Sequence, residues 1–269
     1  MVSALTEKAS DLALKALEIG AIDVVEKPRI DLLAGTLGMA DEIVAKVRSA
    51  ARAVVRRRRS VHALPLTTTA AAAVAKAKFR TTDRVIAVGA STGGTEALAE
   101  LIRGLPPAAP AVLIVQHMPR AFTGAFARRL DGIGNVRVRE AKHGDAVMQG
   151  QALLAPGDQH MRLVRTGGKY VVHLSSDPPV NLHRPSVDVL FASCAEAAGA
   201  AAIGVIMTGM GADGAAGLLT MHEAGAPTFA QDEATCVVFG MPKEAINRGA
   251  ADEVLPLERI AGAVVRAAQ

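Results

Sequence analysis

Residues 85–94 read Val-Ile-Ala-Val-Gly-Ala-Ser-Thr-Gly-Gly, and a helical pattern follows them directly. The apolar run predicts a buried strand, and the glycine-rich turn predicts a tight bend into a helix. Ser91 then lies at the carboxyl edge of a sheet, where the N–H groups of a helix N-terminus favour a developing negative charge. Residues 89–93 also match G-x-S-x-G, a pattern that carries a nucleophilic serine in other proteins. The stretch therefore predicts an α/β chain with Ser91 as a candidate nucleophile.

Further apolar runs alternate with helical patterns after residue 83. The predicted strands are Val85–Val88, Val112–Val115, Val136–Val138, Ile203–Met207 and Pro227–Ala230. The predicted helices are Ala97–Arg103, Phe122–Leu130, Val187–Ala198, Ala215–Glu223 and Leu257–Ala268. This order predicts an α/β fold, a doubly wound and mostly parallel sheet with helices on both faces. Gln151–Pro156, Met161–Arg165 and Tyr170–Leu174 interrupt the order, and we expect them to form an antiparallel hairpin insertion.

The chain divides into three parts by composition. Residues 1–58 hold two amphipathic helices around a short strand at 21–25, with the second helix over about 39–58. These elements offer too few strands to cover their apolar faces, so we expect this part to be mobile or prone to aggregation. Residues 59–82 have the low complexity of a linker, and residues 83–269 contain the strand and helix series.

Composition narrows the classes of function. Aromatic residues make up only 3% of the chain, which argues against a base-stacking surface for single-stranded nucleic acid. The net charge of +4 owes much to the run Arg56–Arg59, which could touch an acidic partner but fits a solvated helix end. Two separated cysteines, no leader pattern and no long apolar run predict a cytoplasmic chain without disulfides or membrane insertion. We expect no nucleic-acid partner.

A nucleophilic serine needs a base, and the base needs an orienting acid. His117 directly follows the predicted strand at 112–115 and its Gln116, and Asp213 lies in the turn after the strand at 203–207. Because parallel strands present their carboxyl ends at one edge of a sheet, all three side chains should meet in one crevice. The chain order Ser, His, Asp differs from the Ser, acid, His order of α/β-hydrolases, so that fold is not predicted.

Other interpretations remain open at this point. Gly209–Gly214 matches G-x-G-x-x-G, and Asp232 and Glu233 lie where a ribose-binding acid would follow. Two features count against a nucleotide site. Asp213 places a carboxylate inside that turn, and the strand before the motif comes late in the chain rather than in a first βαβ unit. Asp213 could also be a plain helix cap, and the chain could be a signalling scaffold without activity. The spacings of His and Cys match no metal site, so we expect no metal and no cofactor.

Six motifs together resemble the chemotaxis-specific protein-glutamate methylesterases, which are also protein-glutamine glutaminases. The motifs are Gly89–Gly94, Gln116–Pro119, Ala155–Met161, His183–Asp188, Thr208–Gly214 and Gln231–Glu233. The resemblance implies a triad of Ser91, His117 and Asp213, with Thr92, His183 and the backbone N–H of Met210 beside it. It implies hydrolysis of glutamyl methyl esters on the cytoplasmic helices of chemoreceptors, and deamidation of receptor glutamines.

The opening residues resemble the last third of a response-regulator receiver domain. In that family the positions of Ser3 and Lys27 contact a phosphoryl group, whereas the phospho-accepting aspartate lies further upstream. The resemblance therefore implies three parts: the C-terminal part of a receiver at 1–58, a linker at 59–82 and a methylesterase domain at 83–269. A complete receiver would add the chemotaxis histidine kinase as a partner.

Overall fold

The computed structural model describes residues 2–3, 7–26, 40–53 and 82–269. Lys27, Arg56–Arg59 and residues 59–81 of the predicted linker lie outside these residues. The strands are β1 (Val2–Ser3), β2 (Val25–Glu26), β3 (Val85–Ala90), β4 (Ala111–Gln116), β5 (Arg137–Glu140), β6 (Gln151–Leu154), β7 (His160–Thr166), β8 (Lys169–Ser175), β9 (Ala202–Ile206), β10 (Thr228–Gln231) and β11 (Glu253–Leu255). The helices are α1 (Glu7–Glu18), α2 (Ala40–Arg52), α3 (Gly94–Gly104), α4 (Arg120–Asp131), α5 (Val187–Ala198), α6 (Ala215–Glu223), α7 (Met241–Asn247) and α8 (Leu257–Ala267), with a 3-10 turn at Gly199–Ala201.

A parallel seven-stranded sheet forms the centre of the fold. Its strand order is β11-β10-β9-β3-β4-β6-β5, and every neighbouring pair is parallel. Strand β3 therefore lies between β4 and β9. Strands β7 and β8 form a separate antiparallel hairpin. The predicted α/β class, with a mostly parallel sheet and a hairpin insertion, is confirmed.

Helices cover both faces of this sheet, since successive side chains of a strand point to opposite sides. Ile86 and Val88 belong to an apolar cluster that includes α3, α4 and α8. Val85 and Ala87 belong to a second cluster with α5, α6, α7 and the hairpin. All of β3 is buried, which explains why its sequence is continuously apolar.

The boundary of the predicted insertion was wrong. Residues 151–154 form β6, which pairs in parallel with β4 and β5 inside the main sheet. Ala152, Leu153 and Leu154 are buried between the two apolar clusters, so this run has the character of a central parallel strand. Only residues 160–175 form the hairpin. The short elements α7 and β11 were not predicted.

The N-terminal residues pack on the main domain. Leu14 and Leu17 of α1 are buried in the cluster that contains α3 and α4. The expectation that this part lacks a surface to cover its apolar faces was therefore wrong for α1, because the helix packs its apolar face on the main domain, whereas the expected mobility stays a prediction. Strand β2 is shorter than predicted, and the described part of the second helix ends at Arg52. None of the helices within the described residues has the length and apolar character needed to cross a bilayer.

Candidate active site

The site lies where three adjacent strands end. Ser91 is the first residue after β3, His117 is the first after β4, and Asp213 lies in the loop after β9. Backbone hydrogen bonds join the three strand ends. The Ser91 N–H donates to the Thr208 carbonyl at 3.0 Å, and the His117 N–H donates to the Ala90 carbonyl at 3.1 Å. The structure thus brings the three sequence-predicted residues to one edge of the sheet.

Glycine is required around Ser91 because neighbouring groups approach the backbone. A Cβ on Gly89 would lie 2.2 Å from Cγ1 of Val187, the first residue of α5. Gly93 has a φ of 79° at the start of α3, a conformation that glycine adopts without strain. A Cβ on Gly209 would lie 2.8 Å from the Ser91 Cβ, so the loop after β9 passes directly beside the serine.

His117 and Asp213 form a buried pair. Their Nε2 and Oδ2 atoms are 2.8 Å apart, and the side chains are 7% and 1% exposed. An ionised carboxylate can only accept hydrogen bonds, so the His117 Nε2 carries the hydrogen. The other ring nitrogen, Nδ1, then holds a lone pair in the neutral ring. It is buried and has no hydrogen-bond partner within the described part of the chain.

Asp213 is surrounded by hydrogen-bond donors. Its Oδ2 also accepts from the Val187 N–H at 2.7 Å, and its Oδ1 accepts from Asn181 Nδ2 at 2.8 Å and Ser186 Oγ at 2.7 Å. Burial alone would raise the pKa of Asp213. The hydrogen bond and charge of His117, with the bonds from Asn181 and Ser186, outweigh it and hold the pKa well below its usual range. Asp213 is thus a fixed anion at the N-terminus of α5, where the helix dipole favours negative charge.

His183 lies against His117. The two rings are stacked, with centroids 3.7 Å apart and planes inclined by 14°. Burial, and after it the proximity of His117, lower the pKa of His183 to about 4. His183 is therefore neutral at neutral pH and adds no charge that would repel a protonated His117.

Thr92 and Met210 flank Ser91 in different ways. Thr92 Oγ1 donates to Asp23 Oδ2 of the N-terminal segment at 2.8 Å, and Asp23 pairs with Lys46 at 3.2 Å. The backbone N–H groups of Thr92 and Met210 donate to no acceptor within the described ranges. The Ser91 N–H, by contrast, is already used by Thr208. Having no acceptor there is the property that the N–H donors of an oxyanion site require.

A narrow cleft opens beside these residues. Ser91, Thr92 and His117 form one wall, while Leu14, Leu17 and Asp23 of the N-terminal segment belong to another. The N-terminal segment thus borders the candidate site. The position of Lys27 falls outside the described residues, as does the side chain of Ser3.

The other candidate chemistries fit this geometry poorly. Asp213 is a buried anion within the stretch 209–214, and its charge would repel a pyrophosphate bound there. Asp232 accepts hydrogen bonds from the N–H and hydroxyl of Thr235, so it caps a local turn. Burial raises the pKa of Cys194 and Cys236 to about 12, which leaves both thiols without nucleophilic character at neutral pH. The described residues also contain no cluster of three or more His, Cys, Asp or Glu side chains with the arrangement of a metal site.

Sequence reasoning assigned no role to several residues that surround Asp213. Asn181, Ser186 and Asp188 belong to the loop and first turn before and within α5, a stretch without periodic pattern. Ser186 is the N-cap of α5, and its place before a helical pattern was a usable signal. Nothing in the sequence alone indicated that Asn181 contacts two carboxylates.

Known proteins are similar to this chain in sequence and in fold. The chain is 53% identical to protein-glutamate methylesterase/protein-glutamine glutaminase 3 of Burkholderia lata, over 98% of this chain and 74% of the relative. It is 55% identical to the corresponding protein 1 of Geobacter metallireducens, over 96% of this chain and 72% of the relative. The crystal structure of the Thermotoga maritima CheB methylesterase catalytic domain matches with a TM-score of 0.67 and 40% identity, covering 68% of this chain and 97% of that one. The sequence profile of the CheB methylesterase family matches residues 86–264. This chain belongs to the CheB methylesterase family.

Proposed function

We propose that this carboxylic ester hydrolase uses Ser91 as its nucleophile, His117 as its general base and Asp213 as its orienting anion. Its substrates are glutamyl methyl esters of chemoreceptors, and receptor glutamines that it converts to glutamate. The observation that carries the proposal is the buried His117–Asp213 pair at 2.8 Å, with the second ring nitrogen unpartnered beside the Ser91 turn.

The first half of the reaction forms an acyl-enzyme. Ser91 Oγ attacks the ester carbonyl carbon, and its proton moves to His117 Nδ1, the nitrogen that holds the lone pair. Asp213 stabilises the resulting imidazolium through Nε2 and remains ionised. The N–H groups of Thr92 and Met210 receive the negative oxygen of the tetrahedral intermediate. The protonated His117 then gives its proton to the leaving group, so that methanol departs from an ester and ammonia from an amide, and this completes the acyl-enzyme.

The second half releases glutamate. Water then attacks the acyl carbon while His117 Nδ1 takes its proton, and collapse of the intermediate returns that proton to Ser91 Oγ. A methyl ester and a primary amide have the same size, so one site accommodates both.

The proposal extends to partners and chain organisation. The substrate glutamate projects from the cytoplasmic helices of a receptor, which suits a cleft at an open sheet edge. We assign residues 1–58 to the C-terminal part of a receiver, 59–82 to a linker and 83–269 to the catalytic domain. The histidine kinase is a partner where a whole receiver is present, and the cytoplasm is the proposed compartment.

The test is release of methanol from methylated receptor by the 269-residue chain and its Ser91→Ala variant. Because Ser91 Oγ forms the covalent bond, we expect the variant to lose all measurable release while unfolding at the same temperature. Ser176→Ala makes the same chemical change on an exposed loop residue and should retain native activity. An active Ser91→Ala enzyme would exclude Ser91 as the nucleophile.

A further inference from the structure

Asn181 connects two carboxylates beside the catalytic centre. Its Nδ2 donates to Asp213 Oδ1 at 2.8 Å and to Asp188 Oδ2 at 2.7 Å. An amide nitrogen has two hydrogens, so both donations are satisfied at once. The group that bridges the two carboxylates is therefore a neutral amide and not a cation.

The bridge holds together two groups that repel each other. Burial, and to a smaller extent the charge of Asp213, raise the pKa of Asp188, although the Gly217 N–H opposes this by donating to it. Asp188 in turn holds the start of α6 through that bond to Gly217. The donated hydrogens of Asn181 reduce the repulsion between the acids and fix the direction of the Asp213 carboxylate.

The backbone of the same residue sets the position of His183. Asn181 has a φ of 51°, in the left-handed region that asparagine tolerates better than most residues. The turn is closed by two backbone hydrogen bonds between Val180 and His183, at 2.9 and 3.1 Å. Leu182, at the tip of this turn, is 95% exposed, so its side chain does not fasten the loop. The amide of Asn181 is the side-chain anchor that the described residues provide at this tip.

We propose that Asn181 is a positioning residue, which acts on His117 from two sides by aiming the Asp213 carboxylate at Nε2 and by holding His183 against the ring. This inference rests on the proposed roles of Ser91, His117 and Asp213. Asp213 and, from the N-terminal segment, Lys46 are the charged groups that act on His183, while Asp23 lines the cleft with His117 and Asp188 lies next to Asp213.

Asn181→Asp is the most informative variant, because it keeps the shape of the side chain and replaces a donor by a third negative charge. We expect kcat on methylated receptor to fall roughly 10- to 100-fold, by analogy with the loss of a hydrogen-bond partner behind a metal-ligating histidine. The acidic limb of the pH–rate profile should move to higher pH, since added negative charge favours the protonated imidazole. Adding Asp188→Asn removes one of the three charges and should return that limb towards its native position.

Two further variants separate positioning from folding. Asn181→Gly permits the positive φ without the amide, so we expect a lower kcat with an unchanged acidic limb. Asn135→Asp is the control, because Asn135 Nδ2 likewise donates two hydrogen bonds, but to the backbone carbonyls of Arg103 and Leu105, at 3.5 and 3.3 Å. It should leave the profile unchanged.

The outcomes distinguish this inference from the function on which it rests. Asn181→Asp with native kcat and a native profile overturns the positioning role, and so does a loss of kcat that merely follows the unfolded fraction seen by circular dichroism. An active Ser91→Ala enzyme would instead overturn the proposed function. Inactive Ser91→Ala together with a shifted profile in Asn181→Asp supports both.

Discussion

Asp213→Asn tests the electrostatic core of the site, because asparagine keeps the shape of the side chain but presents one donor group. Oδ2 accepts from His117 and Val187, whereas Oδ1 accepts from Asn181 and Ser186. Whichever position the new NH₂ group takes, it faces a backbone N–H donor that cannot reverse, that of Val187 at the Oδ2 position or that of Asp188, 3.4 Å away, at the Oδ1 position. If it faces His117, the ring must accept at Nε2 and carry its hydrogen on Nδ1. That tautomer cannot take the Ser91 proton.

The expected loss of turnover follows from this wrong tautomer. In a serine protease the equivalent change lowers kcat by about four orders of magnitude, and we expect roughly two to four here. At about 1.36 kcal/mol per tenfold change, this is about 2.7 to 5.4 kcal/mol of transition-state stabilisation. The lost charged hydrogen bonds should also lower the free energy of unfolding by about 1.5 to 3 kcal/mol. Receptor binding should persist, because Asp213 is buried.

Steady-state methanol release measures kcat and KM, and urea unfolding measures stability. Asp252→Asn is the matched control, since Asp252 Oδ2 accepts two hydrogen bonds from Thr228 away from the site. It should lose stability with native turnover. An Asp213→Asn enzyme with native kcat would show that Asp213 is only a helix cap and would refute the reasoning.

Two other predictions concern the surroundings of the site. The pKa of His183 is about 4 in the folded chain and an ordinary 6.5 in the unfolded chain, so the unfolded chain binds a proton on this ring at a higher pH. The free energy of unfolding should therefore be highest above about pH 6.5 and fall by up to about 3 kcal/mol as the pH approaches 4. His183→Gln should flatten that loss in urea unfolding measured between pH 7 and pH 4.5, and an equally steep loss in the variant would exclude His183 as its source. Deleting residues 1–81 removes Leu14, Leu17 and Asp23 from the cleft wall, and should raise kcat/KM on methylated receptor more than on a small methyl ester. An equal kcat/KM of the full and the shortened chain on methylated receptor would show that the N-terminal segment does not restrict access to the cleft.

The sequence predicted the sheet edge well because the signals there are local. A continuous apolar run marks β3, in which Val187 leaves room only for a glycine at position 89, and the positive φ of Gly93 favours glycine in the turn after it. The same reasoning could not provide the strand order. Strand β9 pairs with β3 although more than a hundred residues separate them, and only tertiary packing decides that neighbour.

The errors have physical causes as well. Residues 151–154 lie close in sequence to the hairpin, yet their burial on both faces places them in the parallel sheet. The N-terminal helix was judged by the strands of its own segment, whereas its apolar side is covered by another part of the chain. Asn181 was missed because a loop residue with a positive φ leaves no periodic trace in a sequence.

The hairpin insertion explains how such a loop holds charged groups in place. The buried His160 of β7 donates from Nε2 to the Pro178 carbonyl, and its Nδ1 accepts from the Ser186 N–H. Arg162 of the same strand pairs with Asp177 at 3.0 Å. The loop between β8 and α5 is therefore fastened to the hairpin on both sides of Asn181. Ser186 is the N-cap of α5 and donates to Asp213 Oδ1, so the contact of His160 with Ser186 also helps to hold the carboxylate that bonds to His117. The hairpin, which lies outside the parallel sheet, thus supports a site formed at the carboxyl edge of that sheet.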